Sequence, residues 1–213
     1  MKYIIMCGGR YPAWETPRQL TEVNGEPLVA RTIRLLRERG VKDISISGTH
    51  HKLQDLGVPL LIHDNDYTSH GYNDLEGYWV NGFYPTNEPT CYLFGDVYFS
   101  PYAIKTIVEY ETDGIMFFAS RRPFAKDYPK THVEPFAFKV ADTAKLRWAC
   151  EEVKRLDKQG AFARKPIAWE LWYVICGAPT AQDAEHIIGA EYVAINDYTC
   201  DIDAPYEVKN VLK

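Results

Sequence analysis

Short, continuously apolar runs alternate along this chain with stretches whose apolar residues recur at helical spacing, and that alternation constrains the fold more than any other feature. KYIIM (2–6) ends at Gly8 and Gly9, and DISIS (43–47), VPLLIH (58–63) and CYLFGD (91–96) follow the same plan. Such runs read as strands buried on both faces. Between the first two, Leu28, Val29, Thr32, Ile33 and Leu36 share one helical face, with Arg31, Arg34 and Glu38 opposite and Gly40 as the stop. The spacing predicts a further helix over 72–83. Ser100 and Pro101 supply an N-cap and first-turn proline for a helix striped by Ile104, Ile107 and Val108. Strands are expected over 114–120, 134–140 and 191–196, a helix around Leu146, Ala149, Cys150 and Val153, and a buried aromatic helix over 168–177. This is the pattern of an α/β protein with a mainly parallel sheet covered by helices. In such sheets ligands sit beyond the carboxyl ends of the strands. Residues that follow strands therefore carry the functional argument.

At 213 residues, with no repeat, low-complexity segment or linker, the chain reads as one domain. A chain of this length buries roughly 70% of its unfolded surface, so neither a disulfide nor a structural metal is needed for a core. The formal net charge is -5, and the densest basic stretch, Arg34, Arg37, Arg39 and Lys42, is diluted by Glu38 and Asp43. No nucleic-acid surface is expected from that balance. The 5 cysteines form no C-x-x-C pair and are odd in number, which fits reduced thiols. The first apolar run is too short for a signal-peptide core, and none approaches a membrane span. A cytoplasmic protein without membrane contact is expected. Aromatic residues are the outlying class, at 14% with 15 Tyr and 5 Trp.

Three segments carry chemistry. MCGGRYPAWETPRQL joins the first strand to the first helix and holds paired glycines with Arg10 and Arg18. Glycines let backbone N–H groups approach an anion, and each arginine can fork onto phosphate oxygens. The loop matches neither G-x-x-x-x-G-K-[ST] nor G-x-G-x-x-G, and a plain tight turn is its alternative reading. In LFGDVYFSP, Asp96 follows an apolar strand, where a carboxylate is well placed to hold Mg2+ on a phosphate. Helix capping is the competing role, but Ser100 already fills it. In DIDAPYEV, Asp201 and Asp203 flank Ile202, so an extended chain turns both carboxylates to one face. Asp203 could equally cap a terminal helix starting near Pro205. The adjacent His50 and His51 lack the spacing of a zinc site.

Taken in order, GG…PRQL…VNGEPLVARTIRLLRERGVKDI, then LFGDVYFSP, then DIDAPYEV resembles the nucleotidyltransferase family that makes nucleotide-diphosphate sugars and cytidine-diphosphate alcohols. Gly8, Gly9, Arg10, Pro17, Leu20, Val23, Gly25, Pro27 and Leu28 match its first motif. Two positions depart from it: Tyr11 and Pro12 follow Arg10 where the family has a later glycine, and Arg18 stands at the family's lysine. The likeness is densest over 1–47 and 91–108, returns at 201–208, and is thin over 115–190.

The resemblance implies a Rossmann-like three-layer sandwich of the GT-A/nucleotidyltransferase type. Nucleotide binding would fall to about 1–110 with 197–213, and acceptor binding to about 111–196. It implies displacement at the α-phosphorus of a nucleoside triphosphate by a phosphorylated small-molecule acceptor, with pyrophosphate leaving. Asp96 and Asp203 would hold Mg2+, with Asp201 a third ligand or a supporting neighbour. Arg10 and Arg18 would neutralise the phosphates. Cys7, Gly8, Gly9, Gln19 and Asn73 would line the nucleotide, and Arg121, Lys130, Glu134 and Trp169 the acceptor. A sugar 1-phosphate is the leading acceptor. The alternative is CTP with phosphocholine or a similar phosphorylated alcohol, for which aromatic rings could cage a quaternary ammonium. A glycosyltransferase would carry D-x-D here, and the residue two after Asp96 is Tyr98. A non-catalytic nucleotide-sugar-binding protein is the reading from another class. A homodimer is compatible with all of these.

Overall fold

The computed structural model describes residues 1–9, 14, 16–69, 75–120, 134–177 and 191–208. In chain order the strands are β1 (Lys2–Met6), β2 (Glu22–Val23), β3 (Glu26–Pro27), β4 (Ile44–Gly48), β5 (Leu60–Ile62), β6 (Thr68–Ser69), β7 (Leu75–Glu76), β8 (Thr90–Phe94), β9 (Val97–Tyr98), β10 (Ile115–Ser120), β11 (Pro135–Val140), β12 (Val193–Ile195) and β13 (Cys200–Asp201). The helices among the described residues are α1 (Leu28–Glu38), α2 (Pro101–Glu109), α3 (Thr143–Lys158) and α4 (Ala168–Cys176).

The apolar runs assemble into a 7-stranded sheet ordered β12-β10-β11-β8-β1-β4-β5. β1 lies at its heart, parallel to β4 and β8, with Ile5 opposite both Ile46 and Leu93. Only β11 among these strands runs against its neighbours, β8 and β10. The pairing persists to the carboxyl ends: the Cys7 amide donates to Ser47 O at 2.7 Å and the Gly95 amide to Met6 O at 3.0 Å. The loops that follow β1 and β8 thus leave from adjacent points. α1 packs on α2 and α3 on α4, and these helix pairs cover the sheet as a three-layer α/β sandwich.

Local sequence accounts for some helix ends and a distant side chain for another. Ser100 caps α2, its hydroxyl accepting from the Ala103 amide at 2.9 Å. Gly177, at φ 70°, closes α4. Lys139 on β11 reaches past the sheet and donates to the carbonyls of Ile107, Val108 and Tyr110 at 2.9, 2.9 and 2.6 Å, satisfying the end of α2. The helix expected over 72–83 does not form in its described part, which holds β7 and a 3-10 turn, Trp79–Gly82. Gly77 explains the difference: it sits at φ 68°, and a Cβ there would lie 2.3 Å from Asp66 O. The chain turns tightly there instead of continuing a helix.

The core is rich in rings. Phe117 stacks on Phe138 at 4.5 Å between centroids and meets Trp169 edge-on at 4.9 Å, and Trp169 meets Tyr192 at 5.2 Å. All the cysteines are free thiols. Among the described residues no helix is long and apolar enough to cross a membrane.

Candidate active site

The carboxyl ends of β1 and β8 meet where backbone replaces side chain. A Cβ on Gly95 would stand 2.7 Å from both Cys7 Sγ and Met6 O and 3.0 Å from Gln19 Cγ, so only glycine fits. Gly9 takes φ 90°, in the left-handed region that favours glycine. Burial, and then the negative charge of Asp96, push the Cys7 thiol well above its usual range. It stays protonated and packs as a small apolar group. Gln19 is buried behind the same junction.

Asp96 follows Gly95 in the turn between β8 and β9. The tail containing Asp201 and Asp203 returns to that turn: β13 pairs antiparallel with β9, Asp201 opposite Val97, and the Ile202 amide donates to Asp96 O at 2.9 Å. Alternation then separates the residues. Cys200 and Ile202 are buried with Val23, Leu28 and Tyr98, and Asp201 and Asp203 are only partly covered. Asp197 fixes the approach of this tail, pairing with the Ser100 hydroxyl and accepting from the Thr199 amide at 2.8 Å. Trp14, half-buried against the same cluster, donates from Nε1 to Asp203 O at 3.3 Å. The Glu207 carboxylate accepts from the amides of Asp203 and Ala204 at 2.7 and 3.1 Å.

Arg18 gathers the acids. It starts the 3-10 turn Arg18–Leu20, and its guanidinium pairs through Nη2 with Asp96 Oδ2 and through Nη1 with Asp203 Oδ1, the latter at 2.7 Å. Residues 185 positions apart in sequence are thereby joined. Asp96 and Asp203, both paired with one guanidinium, are hard oxygen donors of the kind that suits Mg2+, an ion that commonly takes one or two protein carboxylates and fills its shell with water and phosphate. Among the described residues no three His, Cys, Asp or Glu side chains form a group that could hold a metal. The structure therefore offers the pair Asp96 and Asp203, without Asp201 as a third ligand. Asp201 instead donates its amide to the buried Glu134 carboxylate at 3.0 Å.

Other candidates scatter. Glu134 joins the site's margin through Asp201, and its amide is held by the Ser120 hydroxyl at 2.8 Å. Trp169 lies in the ring core at 3% exposure, away from solvent. Arg10, Asn73, Arg121 and Lys130 lie outside the described residues. Within the polar run HDND (63–66), a candidate from the sequence, the residue that the sequence does not distinguish is Asn65. The residue is 7% exposed, and a Cβ on Gly8 would lie 3.2 Å from Nδ2 and one on Gly9 3.7 Å from Oδ1. Its Oδ1 is buried without a hydrogen-bond partner among the described residues. The signal was available: a short polar run, HDND (63–66), directly follows the third apolar run.

No protein-family model matches the chain, and no curated protein matches it in sequence. Solved structures do match. The chain is similar to the CTP:phosphocholine cytidylyltransferase from Streptococcus pneumoniae, with 18% identity, a TM-score of 0.52, and 99% of this chain and 97% of that one covered. It is also similar to the inositol-1-phosphate CTP transferase from T. maritima, with 15% identity, a TM-score of 0.54, and 100% and 96% covered. At these identities the likeness establishes the fold over essentially the whole chain.

Proposed function

We propose that the protein is a Mg2+-dependent nucleotidyltransferase that moves a nucleoside monophosphate from a nucleoside triphosphate to a phosphorylated small molecule. The observation that carries this reading is the convergence of Asp96 and Asp203 on one guanidinium, beside the Gly8–Gly9 turn at the carboxyl end of the central strand. A phosphate oxygen of the acceptor attacks the α-phosphorus, the bond from that phosphorus to the bridging oxygen breaks, and pyrophosphate leaves. The nucleophile is already anionic, so no general base is required. The barrier lies in bringing polyanions together and aligning them. Bound Mg2+ would neutralise phosphate charge and orient the α-phosphate.

The chain's own residues divide the rest. Asp96 and Asp203 supply the metal's carboxylates, and Asp201 acts as their neighbour. Arg18 and Arg10 bind the phosphates of the triphosphate and the departing pyrophosphate. Backbone at Cys7, Gly8 and Gly9 lines the nucleotide, and Asn65 holds that glycine pair in shape. Glu134 belongs to the acceptor side. A sugar 1-phosphate is the leading acceptor. A second reading, CTP with a phosphorylated alcohol, is favoured by the names of both structural neighbours reported above. Free thiols and the lack of a membrane-crossing helix among the described residues support action in the cytoplasm.

The test is pyrophosphate production from a matrix of CTP, UTP, GTP, ATP and dTTP against sugar 1-phosphates, phosphocholine and inositol 1-phosphate, with Mg2+. Release with one base and one acceptor class is expected. Binding of a nucleotide sugar with no release from any pair would overturn the transferase in favour of a non-catalytic binding protein.

A further inference from the structure

Arg18 does more here than wait for a phosphate. Both ends of its fork are taken, one by Asp96 and the other by Asp203, and its side chain is 20% exposed, between carboxylates at 15% and 44%. These are the same oxygen donors that the transferase reading assigns to the metal. A guanidinium satisfies two separate carboxylates because its nitrogens diverge in a plane. A lysine ammonium at the same place is a point charge without that fork. Without a cation between them, two carboxylates that share one guanidinium would repel.

We infer that the Arg18 guanidinium occupies the place of the divalent cation in the nucleotide-free protein, so that metal and nucleoside triphosphate bind as an interdependent pair. The inference rests on the transferase reading, in which Asp96 and Asp203 are metal ligands. A metal ion arriving alone must displace a cation already paired at both ends. A triphosphate offers Arg18 several anionic oxygens of its own, drawing the guanidinium off the carboxylates. Asp96 and Asp203, left without a counter-charge, then favour a divalent cation that the phosphates also bind. By linkage, whatever factor the nucleotide adds to metal affinity the metal adds to nucleotide affinity. The substitution of arginine for the lysine of the resembled family is what makes the lock two-sided.

The experiment measures Mn2+ binding by the loss of free-ion electron paramagnetic resonance signal. It is done with and without a CTP or UTP analogue whose α,β-bridge is methylene, with the metal bound by the analogue itself accounted for. In the wild type, affinity for Mn2+ is expected to rise about tenfold or more when the analogue is present. Arg18→Gln is expected to bind Mn2+ without nucleotide about tenfold more tightly than the wild type, and to gain little further from the analogue. Adding Asp96→Asn to that variant should abolish the gain. Arg18→Lys, which keeps the charge and removes the fork, gives an intermediate gain and serves if Arg18→Gln does not fold. Equal Mn2+ affinity with and without analogue in the wild type, or no tightening in either Arg18 variant, overturns the inference. Pyrophosphate release is scored separately. Release with uncoupled metal binding removes only the role given to Arg18, and coupled binding with no release removes only the transferase reading.

Discussion

Around the carboxyl ends of β1 and β8 the close approaches are made by glycines and backbone, and the side chains that meet are charged. On the β10–β11 side of the same sheet, Phe117 contacts Phe138, Trp169 and Trp172, and Phe138 also meets Trp172. Volume is the critical quantity in the second region and charge placement in the first. At the charged end Gly95 lets Cys7 and Met6 approach, and Gly8 lets Asn65 approach, where a Cβ would crowd them. The ring-filled side supplies stability through buried aromatic area.

That contrast is most sharply tested by separating turnover from stability. Asp96→Asn should lower pyrophosphate release about a thousandfold, the several kcal/mol expected for lost metal-held charge stabilisation, with a smaller loss of about 1–3 kcal/mol in urea unfolding because Arg18 loses one of its two partners. Normal turnover in this variant would break the contrast. Phe117→Ala should do the reverse, with about 3–5 kcal/mol lost in urea unfolding, and with kcat of the folded fraction close to wild type. Gly95→Ala belongs to both regions' logic, since its Cβ would meet Cys7 Sγ and Met6 O at 2.7 Å. It should cost about 1–3 kcal/mol of stability and also impair nucleotide binding, measured by calorimetry. Lys139→Met leaves the helix-end carbonyls of Ile107, Val108 and Tyr110 without their donor, and should cost about 1–3 kcal/mol in the same unfolding assay with turnover preserved. The smallest effect is chemical. Burial raises the thiols of Cys7, Cys91 and Cys150, the last to about 12. They remain protonated at pH 8, so a thiolate-selective reagent should label them slowly until denaturant is added.

The strand and helix pattern was legible because each element carries its own evidence. KYIIM has no polar alternation, Ser100 and Pro101 announce α2, and the Asp-Ile-Asp tail turns out in the fold as alternation requires, with Ile202 buried between its aspartates. The stretch 72–83 misled because its apolar spacing suits a helix, and the steric demand at Gly77 comes from Asp66 on a neighbouring segment. Trp169 looked like a ring available to an acceptor. It is a core residue, because its partners Phe117 and Tyr192 come from strand β10 and the approach to β12. Asn65 does not stand out within its polar run for the same kind of reason: its neighbours Gly8, Gly9 and Gly82 are distant in sequence.

The sequence by itself determined the α/β alternation, since periodicity is a local property. Which acids meet, and on what, was decided by the tertiary structure. The pairing of β13 with β9 carries Asp203 to Asp96, and the turn after Pro17 carries Arg18 between them. Ion pairs between residues so far apart along the chain exist only once the sheet has brought its strand ends together.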